Sequence, residues 1–525
     1  MNVAHLIAWS AKQHAGRLAF EFSDEQRTYA EVESRANRFA HALRALGVRT
    51  GDRVGVLIGN QIEYAEAEFG VTISGAARVP MLTAATAPEL VRYVAFSEAV
   101  AVVASSECLA ALRVALAEVE HQVKVIAIGG AEGHELDFET LLAAQPDTAP
   151  EVTLDDDSLY AIRFTGGTTG VPKGVMMSHR AMVNTINNML LNWPIDGDDV
   201  ALHIHPLSHA SGMMMYVYWM RGASGVIRRA FNFEAEAFFR LVEAHRITTL
   251  FIIPSVLNVL LDSPALGRHD CSSLRSVVYG GAPIPLTRLK QALAAFGPVF
   301  IQVYGTSEAP MLLTTLQREE HVYSGDVPPP RLASAGRPAY NIELCVMDAD
   351  GRVCGAGELG EVCSRGPHVM LGYWKNPELS ATRMIDGWVH TGDIGYLDDD
   401  GYLHIVDRKE DMIITGGFNV WPAEIEDVIY THPAVHEAAV FGVDDERWGE
   451  AVCAVAVAKE GHTLDAASLR SYLEARLTKY KVPKIILFRA TPIPKSAVGK
   501  PLRRKVRDEH QAELACAETR ASGLS

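Results

Sequence analysis

Phe164-Thr165-Gly166-Gly167-Thr168-Thr169-Gly170-Val171-Pro172-Lys173-Gly174, preceded by the apolar Tyr160-Ala161-Ile162, joins a strand-like run to four glycines, three threonines and a lysine. Glycines let the backbone approach an anion closely and adopt positive φ. The hydroxyls of Thr165, Thr168 and Thr169 supply donors, and Lys173 supplies a point charge. Such a loop is built to hold phosphates. A Walker loop would need Gly-x-x-x-x-Gly-Lys followed by Ser or Thr. Here Lys173 follows Pro172 and precedes Gly174, so that register fails and a kinase- or motor-type ATPase is disfavoured.

Outward from the loop, the first half alternates helical and strand patterns, as expected for sheets flanked by helices. Thr28–Leu46 places Ala30, Val32, Ala36, Phe39, Ala40, Leu43 and Leu46 near helical spacing, and Arg53–Ile58, Val100–Ala104 and Val123–Ile128 read as short buried strands. From about Ile342 the texture changes to short segments with Gly-rich turns, which predicts a β-rich subdomain. Asp407-Arg408-Lys409-Glu410-Asp411 is a charged segment between two apolar strands, Tyr402–Val406 and Met412–Ile414, and is the candidate hinge. Beyond it, Glu437–Val443 and Val452–Ala458 read as strands and Ala466–Leu477 as a helix, enough for a small α+β domain. The fold class is therefore α/β. The expected plan is residues 1–407 as a large N-terminal domain of two α/β subdomains and a β-rich one, 408–411 as the hinge, and 412–525 as a small mobile C-terminal domain.

The chain has 525 residues, of which 48% are apolar and 21% charged, the mixture of a compact globular protein. A formal net charge of −16 is a poor match to nucleic acid or an anionic membrane surface. Any anionic ligand must be held by a local concentration of donors. Seven cysteines without a CxxC pair read as reduced thiols. The N-terminus lacks the pattern of a signal peptide, and no apolar run is long enough to span a bilayer, so the cytoplasm is the expected location.

At the Gly/Thr loop the chain resembles the acyl-adenylate-forming superfamily, which includes acyl-CoA synthetases, 4-coumarate:CoA ligases, beetle luciferases and peptide-synthetase adenylation domains. It is most similar to bacterial fatty-acid and aryl acid CoA ligases. Gly166 stands where that family usually has Ser, so one donor hydroxyl is lost while Gly167, Thr168, Thr169, Gly170 and Lys173 keep the cradle. The resemblance recurs in order along the chain. Gly280-Gly281-Ala282-Pro283 is similar to the wall beside adenine, where small residues let a flat ring lie against backbone. Tyr304-Gly305-Thr306-Ser307-Glu308 is similar to the segment whose aromatic ring packs beside adenine, whose threonine binds the α-phosphate and whose acid holds magnesium, with Thr168 as a second metal contact. Asp393, in Thr391-Gly392-Asp393, would accept hydrogen bonds from the ribose hydroxyls, joined there by Arg408.

Lys500 matches the family's catalytic lysine. When a carboxylate attacks the α-phosphorus, negative charge accumulates on phosphate oxygens, and an ammonium with Mg²⁺ stabilises it. No general base is needed, because the carboxylate is already ionised. Lys500 lies far along the chain from the phosphate loop and must reach it, which implies a hinge; Glu410 occupies the family's pivot position. Gly416-Gly417-Phe418 resembles the lining of the pantetheine tunnel. His209, followed by Ser211 and Met213, resembles the residue between the acyl group and the phosphates, and these three with Gly281 and Gly305 form the expected acid pocket. Most of Met213, Met214 and Met215 read as helix core, although thioethers also suit an adaptable pocket.

The resemblance implies ATP, Mg²⁺ and coenzyme A, and an acid that is aromatic, alicyclic or medium-to-long aliphatic. A homodimer is left open. The rival readings are an adenylating enzyme that loads a carrier protein, a luciferase-like oxygenase, and a catalytically silent nucleotide-binding scaffold.

Overall fold

The computed structural model describes residues 1–165, 173–229, 233–416, 418–445, 447–495 and 501–510. By compactness the chain forms two units: Met1–Gly280 with Leu286–Leu344 and Ser364–Val389, and Gly281–Pro285 with Cys345–Cys363 and the chain from His390 onward.

The first unit is built on two large sheets. In one, six strands run parallel, in the order Phe300–Tyr304, Ser276–Gly280, Thr249–Ile252, Val200–His203, Ser224–Ile227 and Leu18–Phe22, with antiparallel strands at both edges. In the other, Leu159–Thr165, Ala77–Pro80, Arg53–Leu57, Ala99–Ser105, Lys124–Ile128 and Leu136–Asp137 are parallel, and Lys173–Ser178 and Gly372–Tyr373 continue the Leu159–Thr165 side antiparallel. Parallel strands covered on both faces read as near-continuous apolar runs, which is why Arg53–Leu57 and Ala99–Ser105 were legible.

The helix Tyr29–Ala45 forms where its periodicity predicts, started by a capping box in which Thr28 and Glu31 bond each other's backbone. Such a cap is worth about 1 kcal/mol. The helix Ile62–Ile73 is apolar around most of its surface and touches strands of both sheets. It nonetheless carries two fully buried carboxylates: Glu66 meets Arg35 at 2.7 Å and Glu68 meets Arg78 at 2.7 Å. The buried helix Ala210–Arg221 joins it through Phe69, whose ring packs on Trp219 at 4.9 Å and on Tyr216 at 5.3 Å.

In the second unit, Trp388–Leu397, from His390 on, pairs antiparallel with Leu403–Arg408. Asp407 and Arg408 thus belong to a strand, where the sequence pattern placed them in the hinge segment; Arg408 is held there opposite Asp393. Lys409–Asp411 forms one 3₁₀ turn. A five-stranded sheet of Phe418–Val420, Ile413–Thr415, Gly449–Ala458, Val435–Asp445 and Ile485–Phe488 follows, with the helices Pro422–Tyr430 and Ala466–Glu474 on one apolar core. Among the described residues no helix is long and apolar enough to cross a membrane.

Candidate functional site

Leu159–Thr165 and Lys173–Ser178 pair antiparallel as a hairpin, with Thr165 opposite Lys173 as the last pair. Gly166, Gly167, Thr168, Thr169 and Gly170 lie outside the described residues. In the other sheet, Gly280 and Tyr304 end adjacent parallel strands, Gly280 pairing with Val303. Ligands of open α/β sheets sit outside such carboxyl ends. Close approach requires the small residues. A Cβ on Gly280 would stand 2.4 Å from the Val303 carbonyl oxygen, and one on Gly305 would stand 2.7 Å from the Met311 backbone.

After Tyr304 the chain turns tightly: Thr306 N–H donates to the Ala309 carbonyl at 3.1 Å and Ala309 N–H to Thr306 Oγ1 at 3.2 Å. The turn presents Glu308, whose Oε1 accepts a 2.6 Å hydrogen bond from the Tyr373 hydroxyl and whose carbonyl accepts from Met370 N–H at 2.8 Å. Tyr373 pairs with Val175 on the second strand of the loop hairpin. One residue, unforeseen from the sequence, therefore ties the acid to the strand that carries Lys173.

Mg²⁺ fits this arrangement. It dehydrates reluctantly and is usually bound by one or two carboxylates plus substrate phosphates. Glu308 offers one oriented carboxylate, and the described residues contain no cluster of three or more His, Cys, Asp or Glu that would cage an ion by itself.

His209 precedes the helix Ala210–Arg221, and its imidazole nitrogen Nδ1 lies 3.4 Å from Ser208 Oγ. Burial, and then the nearby Arg163 charge, pull its pKa down to about 4, so the ring is neutral at physiological pH. Ser211 Oγ pairs with His203 Nδ1 at 3.2 Å, so its hydroxyl is committed to the interior. Met213 is buried in the core, and its sulfur receives the Arg163 guanidinium Nη1. Met214 and Met215 are core residues. The helix begins hard against its own approach: a Cβ on Gly212 would stand 1.9 Å from the Leu207 carbonyl oxygen.

In the second unit, the buried Asp393 carboxylate meets Arg408 Nε at 2.6 Å across the strand pair. Its strand is set by Glu361, which sequence reading missed. Glu361 accepts from Gly392 N–H at 2.9 Å, lies 3.3 Å from His390 Nδ1, and pairs with Lys409 at 2.9 Å. Gly392 has φ +78°, a conformation that favours glycine at this position. Gly281 likewise has φ +83°, with Ala282 and Pro283 following it.

Glu410 is exposed, but the residues around it are not free. Arg503 reaches Asp407 at 3.0 Å, Asp411 at 2.6 Å and Glu426 at 2.7 Å. Gly416, at φ +59°, leaves room for the Trp448 ring, which a Cβ would approach to 2.7 Å. Phe418 stacks on Tyr480 at 4.6 Å with much of its surface exposed. Gly417 and Lys500 lie outside the described residues; Lys495 and Pro501, on either side of the lysine's segment, pair as an antiparallel bridge.

Residues 7–374 match the family described as AMP-binding enzyme, and residues 424–500 match the AMP-binding enzyme C-terminal domain. A feruloyl-CoA synthase from Amycolatopsis sp is 36% identical over 482 residues, covering 91% of this chain and 93% of the relative. A fatty acid–[acyl-carrier-protein] ligase from Streptomyces coeruleorubidus is 35% identical over 495 residues, covering 93% of this chain and 92% of its own. Among solved structures, ATP-bound MatB from Rhodopseudomonas palustris superposes with a TM-score of 0.88 at 30% identity, over 97% of this chain and 99% of that one.

Proposed function

The chain belongs to the AMP-binding enzyme family, and we propose that it is an ATP-dependent acid–thiol ligase that makes an acyl-CoA through an acyl-AMP. In the first half-reaction an acid carboxylate oxygen bonds to the α-phosphorus of ATP and the bond to pyrophosphate breaks. In the second, the CoA thiolate bonds to the acyl carbon and AMP leaves. The observation that carries the reading is Glu308, held by Tyr373 against the hairpin that bears the phosphate-loop motif.

Each residue then has a task. Lys173 and the loop hold phosphate oxygens. Glu308 would hold Mg²⁺, which when bound neutralises developing phosphate charge. Thr306 contacts the α-phosphate, Asp393 with Arg408 takes the ribose hydroxyls, and Tyr304 and the 280–283 segment flank adenine. The neutral His209 orients the acid carboxylate without adding charge of its own. Lys500 serves the first transition state, and residues 408–411, with Glu410 as pivot, let the C-terminal domain alternate between half-reactions. Gly416, Gly417 and Phe418 line the thiol path. The enzyme works in the cytoplasm.

Incubation with ATP, Mg²⁺ and a panel of acids should give acid-dependent pyrophosphate and AMP, and a thioester when CoA is added. Absence of acid-dependent pyrophosphate across the panel would refute the ligase reading in favour of a silent scaffold. The carrier-protein relative supports a second reading, which predicts thioester on a phosphopantetheine-bearing carrier protein and none on CoA. Lys500→Ala should lower adenylation at least about a hundredfold while sparing thioester formation from supplied acyl-AMP. Equal loss in both half-reactions removes Lys500 from its role.

A further inference from the structure

Among the described residues, the arginine at position 163 has no carboxylate to match its charge. It lies on the strand that leads into the phosphate loop, where alternation sends Ile162 and Phe164 to one apolar cluster and Arg163 to the opposite face, toward Met213. The other arginines of this region are matched: Arg78 by Glu68 at 2.7 Å and Arg35 by Glu66 at 2.7 Å. Half-buried Arg163 meets no carboxylate among the described residues, and its Nη1 donates instead to the Met213 thioether, a weak acceptor. Nearby lie the neutral Arg78–Glu68 pair and the phenols of Tyr64, Tyr160 and Tyr216, which burial keeps protonated. Burial, and then the Arg78 charge, lower the Arg163 pKa to about 10, which leaves it charged at neutral pH. These groups together carry one uncompensated positive charge beside His209.

We propose that Arg163 is a specificity-determining residue that pairs with a second carboxylate at the far end of the acid, so that the preferred substrate is a compact dicarboxylic acid activated at one end. The inference rests on the ligase reading. Two other anions are poorer fits. Arg163 pairs with Val175 in the hairpin, two positions in from the Thr165–Lys173 pair at the mouth, which places it about 7 Å behind the mouth and away from the phosphates. The reacting carboxylate belongs beside His209 at the start of the helix, whereas Met213, against which the guanidinium rests, is one turn further along, about 6 Å. That span suits the separation between the two ends of a short diacid. A guanidinium fork matches a carboxylate in geometry and charge, which a hydrocarbon tail cannot do.

The test uses the full chain and reads initial pyrophosphate release with succinate, glutarate and adipate, each beside its monomethyl ester and the monoacid of the same length. The wild-type protein should favour one diacid over its ester by at least about tenfold in kcat/KM. Arg163→Met should cut the diacid by about a hundredfold, leave monoacids and esters within about threefold, and Arg163→Lys should recover part of the loss. No diacid preference in the wild type, or an equal fall for every acid in Arg163→Met, overturns the proposal. Without any variant, the preferred diacid should raise the wild-type Tm more than its ester does; equal shifts overturn it as well. Release with monoacids alone sinks this inference and keeps the ligase, whereas release with no acid sinks both.

Discussion

Lowering the pH should unfold the first unit well before its surface carboxylates titrate, because the unit holds four fully buried neutral histidines. His179, His203, His321 and His368 are each at most 2% exposed, and burial pulls each pKa from 6.5 to about 4. Three of them, His179 at Nε2, His203 at Nε2 and His368 at Nδ1, bury a ring nitrogen with no hydrogen-bond partner, so protonation would place an unmatched charge in the core. Their folded pKa values lie below the unfolded ones, so the unfolded chain binds more protons throughout the window from 6.5 down to about 4. Stability is therefore full above that window and is lost as pH falls through it.

Linkage gives a loss of about 1.9 kcal/mol per histidine between about pH 7 and pH 5, or about 7 kcal/mol for the set. Glu66 works the other way. Burial outweighs Arg35 and pushes its carboxyl up to about 7, so acidification relieves the folded state. That returns about 2 kcal/mol over the same range and leaves a net loss of about 5 kcal/mol, comparable to the whole stability of an ordinary domain. The assay is urea denaturation followed by near-UV circular dichroism at half-unit pH steps. The midpoint should fall steeply between pH 6.5 and 5, and His368→Gln should flatten the slope by about 1 kcal/mol per pH unit. A midpoint that stays level to pH 5 would refute the account of neutral buried imidazoles.

Tyr373→Phe removes a charge-assisted hydrogen bond to Glu308 worth about 1.5–3 kcal/mol, so adenylation should fall about tenfold to a hundredfold with a raised requirement for Mg²⁺, while thioester formation from acyl-AMP holds; equal change in both steps would detach Tyr373 from Glu308's task. Arg503→Met leaves Asp407, Asp411 and Glu426 facing one another and should cost the second unit about 3–5 kcal/mol by thermal unfolding, partly restored in the double variant with Glu426→Leu; an unchanged Tm would show that the three ion pairs carry no weight.

Patterns that depend on neighbours in the chain were legible from the sequence. The apolar run of Arg53–Leu57 and the helical spacing from Thr28 to Leu46 declare themselves within a few residues. What escaped was set by partners remote in the chain. Tyr373 stands far along the chain from Glu308, Glu361 from Gly392, and Arg503 from Asp407, and neither periodicity nor composition links such pairs. Asp407 and Arg408 look in the sequence like the charged segment that follows them, and only the fold shows that they end a strand, with Arg408 opposite Asp393. Arg163 reads as one polar residue in an apolar strand, and only the fold shows that its guanidinium meets Met213 and, among the described residues, no carboxylate.

On the proposed ligase reading, this division accounts for Gly166 standing where the family it resembles usually has a serine. A loop that had to orient the metal-holding acid through its own hydroxyls could not lose one without moving the acid. Here Glu308 takes its orientation from Tyr373, and Tyr373 takes its position from the Lys173–Ser178 strand through the Tyr373–Val175 pairing. The sheet register, carried by backbone hydrogen bonds, sets Tyr373 on the strand that begins at Lys173. On the proposed ligase reading, a missing loop hydroxyl removes one phosphate contact while the Tyr373–Glu308 bond and the Tyr373–Val175 pairing stay in place.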